Sequence, residues 1–366
     1  MSLKCGIIGV ANIGKTTLFN CMSSTKAEAS RVAFASNKTN ISVINVPDAR
    51  LAVIEKYQPT DRTVHATVEI SDIPGLTKSS GKGDGSGNKF LADIRNTDAL
   101  IHVLRCFDDE SLPHIDGSVD PVRDIETVNF ELQVKDLESI EKKILKTEKL
   151  AKSGGDKEAK KCLEVLLVLK NHLEDFQNVR TAPVSAEDLK HVADLFLLTL
   201  KPVLFVCNVD EASVISGNKY VEKVKDFLKN DASDVLVIGA KIEEEIAELE
   251  SEEDRLTFLK DIGLEEPSVN KLIRSAYEML NLISFFTIGQ KENRAWTITK
   301  GMTAPQAAGA IHSDLERGFI RAEVMRYNDF ISLGSEQACK DKGKFHVEGK
   351  NYVVEDGDIL HIRFNV

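Results

Sequence analysis

The chain has no C-x-x-C pair among its 6 cysteines and no histidine spacing to go with one, which excludes a zinc finger and offers no disulfide framework. No apolar run approaches the roughly 20 residues that a membrane-spanning helix requires. A secretory leader is missing too, because the first apolar run, residues 5–10, already reads as a buried strand. Nor is there an excess of basic residues. Against 47 Lys and Arg stand 58 Asp and Glu, and the net charge of −11 argues against a protein coated in nucleic acid. What these absences leave is a reduced, cytoplasmic, globular protein with no membrane contact. Its 366 residues are enough for two or three domains.

What is present begins at residue 9. Gly9-Val10-Ala11-Asn12-Ile13-Gly14-Lys15-Thr16 matches the phosphate-binding pattern G-x-x-x-x-G-K-[ST] without a gap. A strand precedes it and a helix opens at Thr16, so loop N–H groups and a helix N-terminus converge on one anion site. Asn12, Ile13, Gly14, Lys15, Thr16 and Thr17 are the expected nucleotide contacts. Lys15 reaches the β- and γ-phosphates, and the Thr16 hydroxyl ligates Mg²⁺.

From residue 5 to about 246, strand-like and helix-like runs alternate. This predicts an α/β domain built on a mostly parallel sheet with helices on both faces. The candidate strands are 4–10, 41–46, 65–72, 99–106, 202–208 and 235–240, and each motif falls just past a strand end, where such sheets bind ligands. Residues 30–40 form a polar loop suited to sensing the γ-phosphate, with Ser36 or Thr39 as a further hydroxyl for Mg²⁺. Asp72-Ile73-Pro74-Gly75 supplies the D-x-x-G of a nucleotide switch. Asp72 is expected to hold a Mg²⁺-bound water and the Gly75 N–H to bond the γ-phosphate. Four glycines between 81 and 87 then predict a stretch that orders with nucleotide state.

Leu76 stands where many GTPases carry a water-orienting Gln, so another group must handle the attacking water. His114, in the loop of residues 108–119, is one candidate, as general base or orienting group. Asn12 is the other, through a K⁺ that offsets transition-state charge. At the base, a guanine reader needs N-K-x-D, whereas this chain has Asn208-Val209-Asp210-Glu211. Glu211 is one methylene too long for the same pair of hydrogen bonds, and guanine preference is expected to be lost. Asn208, Val209, Glu211 and Ala240 are the expected base contacts.

Two further regions depart from this pattern. Leu137, Ile140, Ile144 and Ala151, then Leu163, Leu166, Leu173 and Phe176, recur at helical steps on either side of Ser153-Gly154-Gly155. They predict an antiparallel helical hairpin over 121–200, inserted into a nucleotide domain formed by 1–120 and 201–282. Residues 142–161 at its tip carry 8 Lys against 3 acids, a surface suited to an RNA-rich partner. Residues 283–366 predict a small β-rich module, with strands 284–288, 294–297, 322–326, 352–354 and 359–364 around a helix at 305–315.

Together these residues resemble the YchF-type Obg-like ATPases along nearly the whole chain. The phosphate loop, Asp72-Ile73-Pro74-Gly75-Leu76, Gly87-Asn88-Lys89-Phe90-Leu91 and Asn208-Val209-Asp210-Glu211 carry the likeness. Arg294-Ala295-Trp296-Thr297-Ile298, Ala304-Pro305-Gln306-Ala307-Ala308-Gly309, Arg317-Gly318-Phe319-Ile320 and the terminal Arg363-Phe364-Asn365-Val366 resemble that family's TGS domain. The resemblance implies an ATP-preferring, Mg²⁺-dependent hydrolase of a GTPase superfamily whose nucleotide state switches ribosome association, with rRNA or tRNA in reach and the protein a monomer. A GTP-specific assembly factor and a nucleotide-sensing module with negligible turnover are the alternatives. Two features depart from the family pattern: Phe34-Ala35-Ser36-Asn37-Lys38-Thr39-Asn40 replaces F-C-T-I-E-P-N, and Gly239 stands where Ser is usual.

Overall fold

The structure is a computed structural model and describes residues 3–24, 40–75, 86–152, 157–231 and 233–365. Among the described residues the first part of the chain has seven strands: β1 (Lys4–Ile8), β2 (Asn40–Asn45), β3 (Thr63–Val64), β4 (Thr67–Asp72), β5 (Ala99–Arg105), β6 (Val203–Asn208) and β7 (Val235–Ile238). Six of them form one sheet in the order β2-β4-β1-β5-β6-β7. Only β2, at the edge, runs antiparallel to its neighbour; β4, β1, β5, β6 and β7 are mutually parallel. Every residue of β5 and β6 is buried, as strands covered on both faces must be.

Side-chain alternation divides the core between the two faces. On one face Ile7, Ile101 and Val206 pack against Leu18 of helix α1 (Lys15–Ser24) and against Leu272 and Ile273 of a later helix. On the other, Ile8, Leu100 and Phe205 pack against Ile125 and Val128, and against Val221 and Val224. In chain order the helices are α2 (Ala49–Tyr57), α3 (Ser86–Arg95), α4 (Pro121–Lys152), α5 (Lys157–Glu174), α6 (Ala186–Leu189), α7 (Lys219–Leu228), α8 (Ala240–Glu248), α9 (Glu252–Ile262) and α10 (Ser268–Met279). None of the described helices is long and apolar enough to cross a membrane, and all six cysteines are buried and outside any disulfide.

The hairpin is α4 against α5. Its start follows from Pro121 at the first helical position, where the missing N–H costs nothing. Ile140 and Ile144 meet Leu166 and Leu169 along a buried seam. The root is tied by the buried Asp136 carboxylate, which accepts from the N–H groups of Leu198 (2.8 Å) and Thr199 (2.7 Å) and from the Thr199 hydroxyl (2.7 Å). Phe176 corrects the periodicity reading. The helix ends at Glu174, Phe176 takes a left-handed φ of 57°, and its ring leaves the seam for solvent.

The C-terminal sheet has the order β11-β10-β12-β8-β9-β3, with β8 (Leu282–Thr287), β9 (Asn293–Thr299), β10 (Phe319–Arg326), β11 (Phe345–Glu348) and β12 (Asp358–Phe364). Its last member comes from the first part of the chain: β3 pairs parallel to β9, with Thr63 opposite Asn293. Asn293 Nδ2 donates to Gln58 O at 2.7 Å, and Arg50 pairs with Asp356 at 2.7 Å. The expected helix over 305–315 is two helices, α11 (Ala304–Ile311) and α12 (Ser313–Arg317), separated by an extended His312. Residues 352–354 make only an isolated bridge between Val353 and Thr303, and the edge strand β11 takes the place expected for them.

Candidate nucleotide site

The loop between β1 and α1 depends on two glycines with positive φ, +141° at Gly9 and +91° at Gly14. A Cβ on Gly9 would lie 2.6 Å from Val103 O, and one on Gly14 would overlap Asn208 Nδ2. Ile13 is buried beneath the loop, while Asn12, with φ 62°, is exposed at its crest. Lys15 is only 7% exposed, and its ammonium donates back across the loop to Val10 O at 2.5 Å. Burial lowers its pKa to about 8, against the opposing pull of Asp72.

The switch residues close onto this loop. A Cβ on Gly75 would sit 2.6 Å from Lys15 Nζ and 3.0 Å from Val10 O, so the D-x-x-G backbone is packed directly on Lys15. Thr16 Oγ1 donates to Asp72 Oδ2 at 3.1 Å. Burial raises the Asp72 pKa, while the Thr16 hydroxyl and Lys15 pull the other way. A hydroxyl and a carboxylate side by side are the hard oxygen donors that Mg²⁺ would take, Thr16 directly and Asp72 through a water. Thr17 is half-buried in the first turn of α1. Ser36, Thr39 and Leu76 lie outside the described residues.

At the base end Asn208 is buried and clamps two elements together. Its Nδ2 donates to Ile13 O and its Oδ1 accepts from Ala240 N, both at 2.9 Å, fastening the phosphate loop to the start of α8. Val209 corrects the sequence expectation. Its side chain is buried in the core and its N–H bonds Ile238 O at 2.9 Å, so neither faces a base. The Ala240 N–H is likewise engaged, by Asn208. Glu211 is exposed and opens a short turn that Asp210 caps by accepting from Ser213 N. Gly239 is explained by packing: a Cβ there would meet Val214 Cγ2 at 2.8 Å.

His114 also differs from expectation. Its side chain is 2% exposed, Nε2 lies 3.1 Å from Asp124 Oδ2, and Nδ1 accepts from Asp116 N at 3.1 Å. Accepting the Asp116 N–H at Nδ1 leaves the imidazole proton on Nε2, where it is donated to Asp124, so both nitrogens are in use and neither is open to a water. The same tautomer argues against a metal among His114, Asp116 and Asp124, although their ligand atoms lie within 4.8 Å of one another. Sequence reasoning missed Arg105, which fastens this loop. Its buried guanidinium donates to Phe107 O (3.1 Å), Asp109 O (3.0 Å) and Leu112 O (2.7 Å). The signal was available: Arg105 is the one Lys or Arg in the run 99–106, which apart from His102 is otherwise apolar.

The hairpin tip is less uniformly basic than its composition. Lys143 pairs with Asp194 and Lys161 with Asp188, both binding the hairpin to the turns after α5. Lys142, Lys146, Lys149 and Lys160 are exposed.

Comparison with known proteins bears on the whole chain. Residues 4–149 match the family model of the 50S ribosome-binding GTPases, and residues 282–365 match that of the YchF GTPase C-terminal domain, itself described as a protein of unknown function. "Ribosome-binding ATPase YchF" of Haemophilus influenzae is 44% identical over 366 residues, and that of Bacillus subtilis 45% over 368, each covering 100% of both chains. The solved structure titled as the YchF GTPase of Schizosaccharomyces pombe superposes with a TM-score of 0.88 at 33% identity, over 99% of this chain and 98% of that one.

Proposed function

The chain belongs to the YchF family, and from that premise we propose that it is an ATP hydrolase whose bound nucleotide governs its attachment to ribosomes. The packing of Gly75 and Asp72 onto Lys15 and Thr16 carries the reading, because it puts the switch within reach of the phosphate that hydrolysis removes. On ATP binding, Lys15 exchanges Val10 O for β- and γ-phosphate oxygens, and the Gly75 N–H turns to the γ-phosphate. Thr16 would hold Mg²⁺ directly and Asp72 through a water, and the ion would offset phosphate charge. After cleavage the Gly75 contact has no partner, and the end of β4 is released. Asn12 is exposed at the crest of the loop, and it is the side chain we propose to receive K⁺ beside the phosphates.

The names of the relatives divide between ATPase and GTPase, so a GTP-specific factor is the second reading. Val209 and Glu211 favour ATP. The Val209 side chain is turned into the core and cannot lie over a base, and Glu211 offers its carboxylate one methylene further out than a guanine reader needs. We further propose that the protein works as a cytoplasmic monomer, with its nucleotide domain in 1–120 and 201–282, the hairpin in 121–200 and a TGS domain in 283–366.

Calorimetric titration with ATP and GTP tests the nucleotide. ATP is expected to bind at least tenfold tighter, about 1.4 kcal/mol, and Glu211→Asp to move preference toward GTP. Tighter GTP binding would reverse the assignment. Phosphate release with and without ribosomes tests the reaction, and no turnover in either condition would leave a nucleotide-sensing module.

A further inference from the structure

At the root of the hairpin an aromatic pair faces solvent. Phe130 of α4 and Phe176, just past α5, stack with ring centroids 6.3 Å apart and planes 24° apart, yet remain 50% and 69% exposed. Val134, one turn along α4, extends the same apolar strip. Phe176 is held there against its own backbone preference. A φ of 57° is unfavourable for a bulky residue, and the buried Gln133 carboxamide fixes it by donating to Phe176 O (3.2 Å) and Asn178 Oδ1 (2.8 Å). A chain that only needed to end a helix would place Gly or Asn at this position.

The rim of the strip has one sign. Glu126 lies one turn before Phe130, Glu131 is its neighbour and Asp175 precedes Phe176, while stretches 124–134 and 174–179 contain no Lys or Arg. The cations nearest along the chain, Arg123, Lys135, Lys170 and Arg180, are paired with Asp116, Glu138, Glu141 and Asp231. A phosphate backbone would be repelled here. A basic polypeptide bringing an apolar or guanidinium group onto the rings would be attracted.

We infer that Phe130, Val134 and Phe176 form a docking surface for a Lys/Arg-rich protein segment of the ribosome, distinct in chemistry from the lysine-bearing tip of the same hairpin. The inference rests on the ribosome-binding reading above. Two substitution sets test it in the full chain with purified ribosomes and ATP. F130S/F176N removes the rings, and Asn tolerates the left-handed backbone at 176. E126K/E131K reverses the rim without touching the aromatic pair, so it stays informative if the first variant fails to fold. Each is expected to sediment with ribosomes at least tenfold more weakly, with ribosome-free ATP turnover unchanged. A photoreactive phenylalanine at position 130 is expected to cross-link a basic segment of a ribosomal protein. Unchanged binding by a folded F130S/F176N, tighter binding by E126K/E131K, or cross-links confined to rRNA would overturn the inference. Wild-type protein that fails to sediment with ribosomes would remove the underlying reading along with it. Wild-type binding with unaltered variants would remove the docking surface alone.

Discussion

Raising the pH from 7 to 9 is expected to weaken ATP binding about tenfold, through Lys15 alone. Without nucleotide, burial holds this ammonium at a pKa of about 8. Bound phosphate favours the charged form and returns the pKa toward or above the usual ~10.4, so binding takes up a proton and is stronger at low pH. With a free-state pKa of about 8, the protonated fraction is about 0.9 at pH 7, 0.5 at pH 8 and 0.1 at pH 9. The ratio of the first to the last is about tenfold, or roughly 1.4 kcal/mol. Titration with a non-hydrolysable ATP analogue at fixed free Mg²⁺, in buffers of different ionisation enthalpy, reads both quantities. About half a proton should be taken up per nucleotide at pH 8, and Lys15→Gln should bind weakly with a flat profile. A wild-type affinity that stays level from pH 7 to 9 with no proton uptake would refute the reasoning.

Other perturbations follow from the packing. Asn208→Ala leaves Ile13 O and Ala240 N buried without their partners, at roughly 1–3 kcal/mol each, and should lower both denaturant stability and ATP affinity. Asp136→Ala strips three hydrogen bonds from the hairpin root and should cost about 2–4 kcal/mol in chemical denaturation, with nucleotide affinity little changed. Charge reversal at Lys142, Lys146, Lys149 and Lys160 should weaken ribosome sedimentation and flatten its salt dependence, whereas Lys143 and Lys161 are poor probes because each is tied to an Asp. An unaltered salt slope would make the tip a solvated surface.

The legible parts of this molecule were those whose cause is local. Residues 9–16 dictate their own backbone, and the buried runs of β5 and β6 state their depth by composition. The parts that escaped depend on distant partners. Thr63 and Val64 are only two residues long as a strand, and what makes them one is Asn293 and Arg294, some 230 positions later. β11 shows no apolar alternation because it is an edge strand with half its residues exposed. Val209 looked available as a base contact because sequence alone does not say which way the residue after a strand end turns. His114 looked free because Asp124 and Arg105, which hold it and its loop, belong to a helix start and a buried strand rather than to the loop. Phe176 kept helical spacing past the point where the helix had stopped.

The sharing of one apolar cluster between the two ends of the chain bears on the order in which the molecule can be made. Cys5 and Ile7 of the first strand belong to one apolar cluster with Leu18 of α1, with Leu272 and Ile273 of α10, and with Phe286, Met325 and Ile359 of the C-terminal sheet. During synthesis α1 can cover its share of that cluster at once, but the share that falls to α10 and the C-terminal sheet has no partner until residues 268–359 have been translated. At ~5–20 residues per second, the 354 positions from Cys5 to Ile359 take roughly 18–70 s. For that interval the nascent protein carries a partly uncovered apolar cluster, and its completion is a late event in translation.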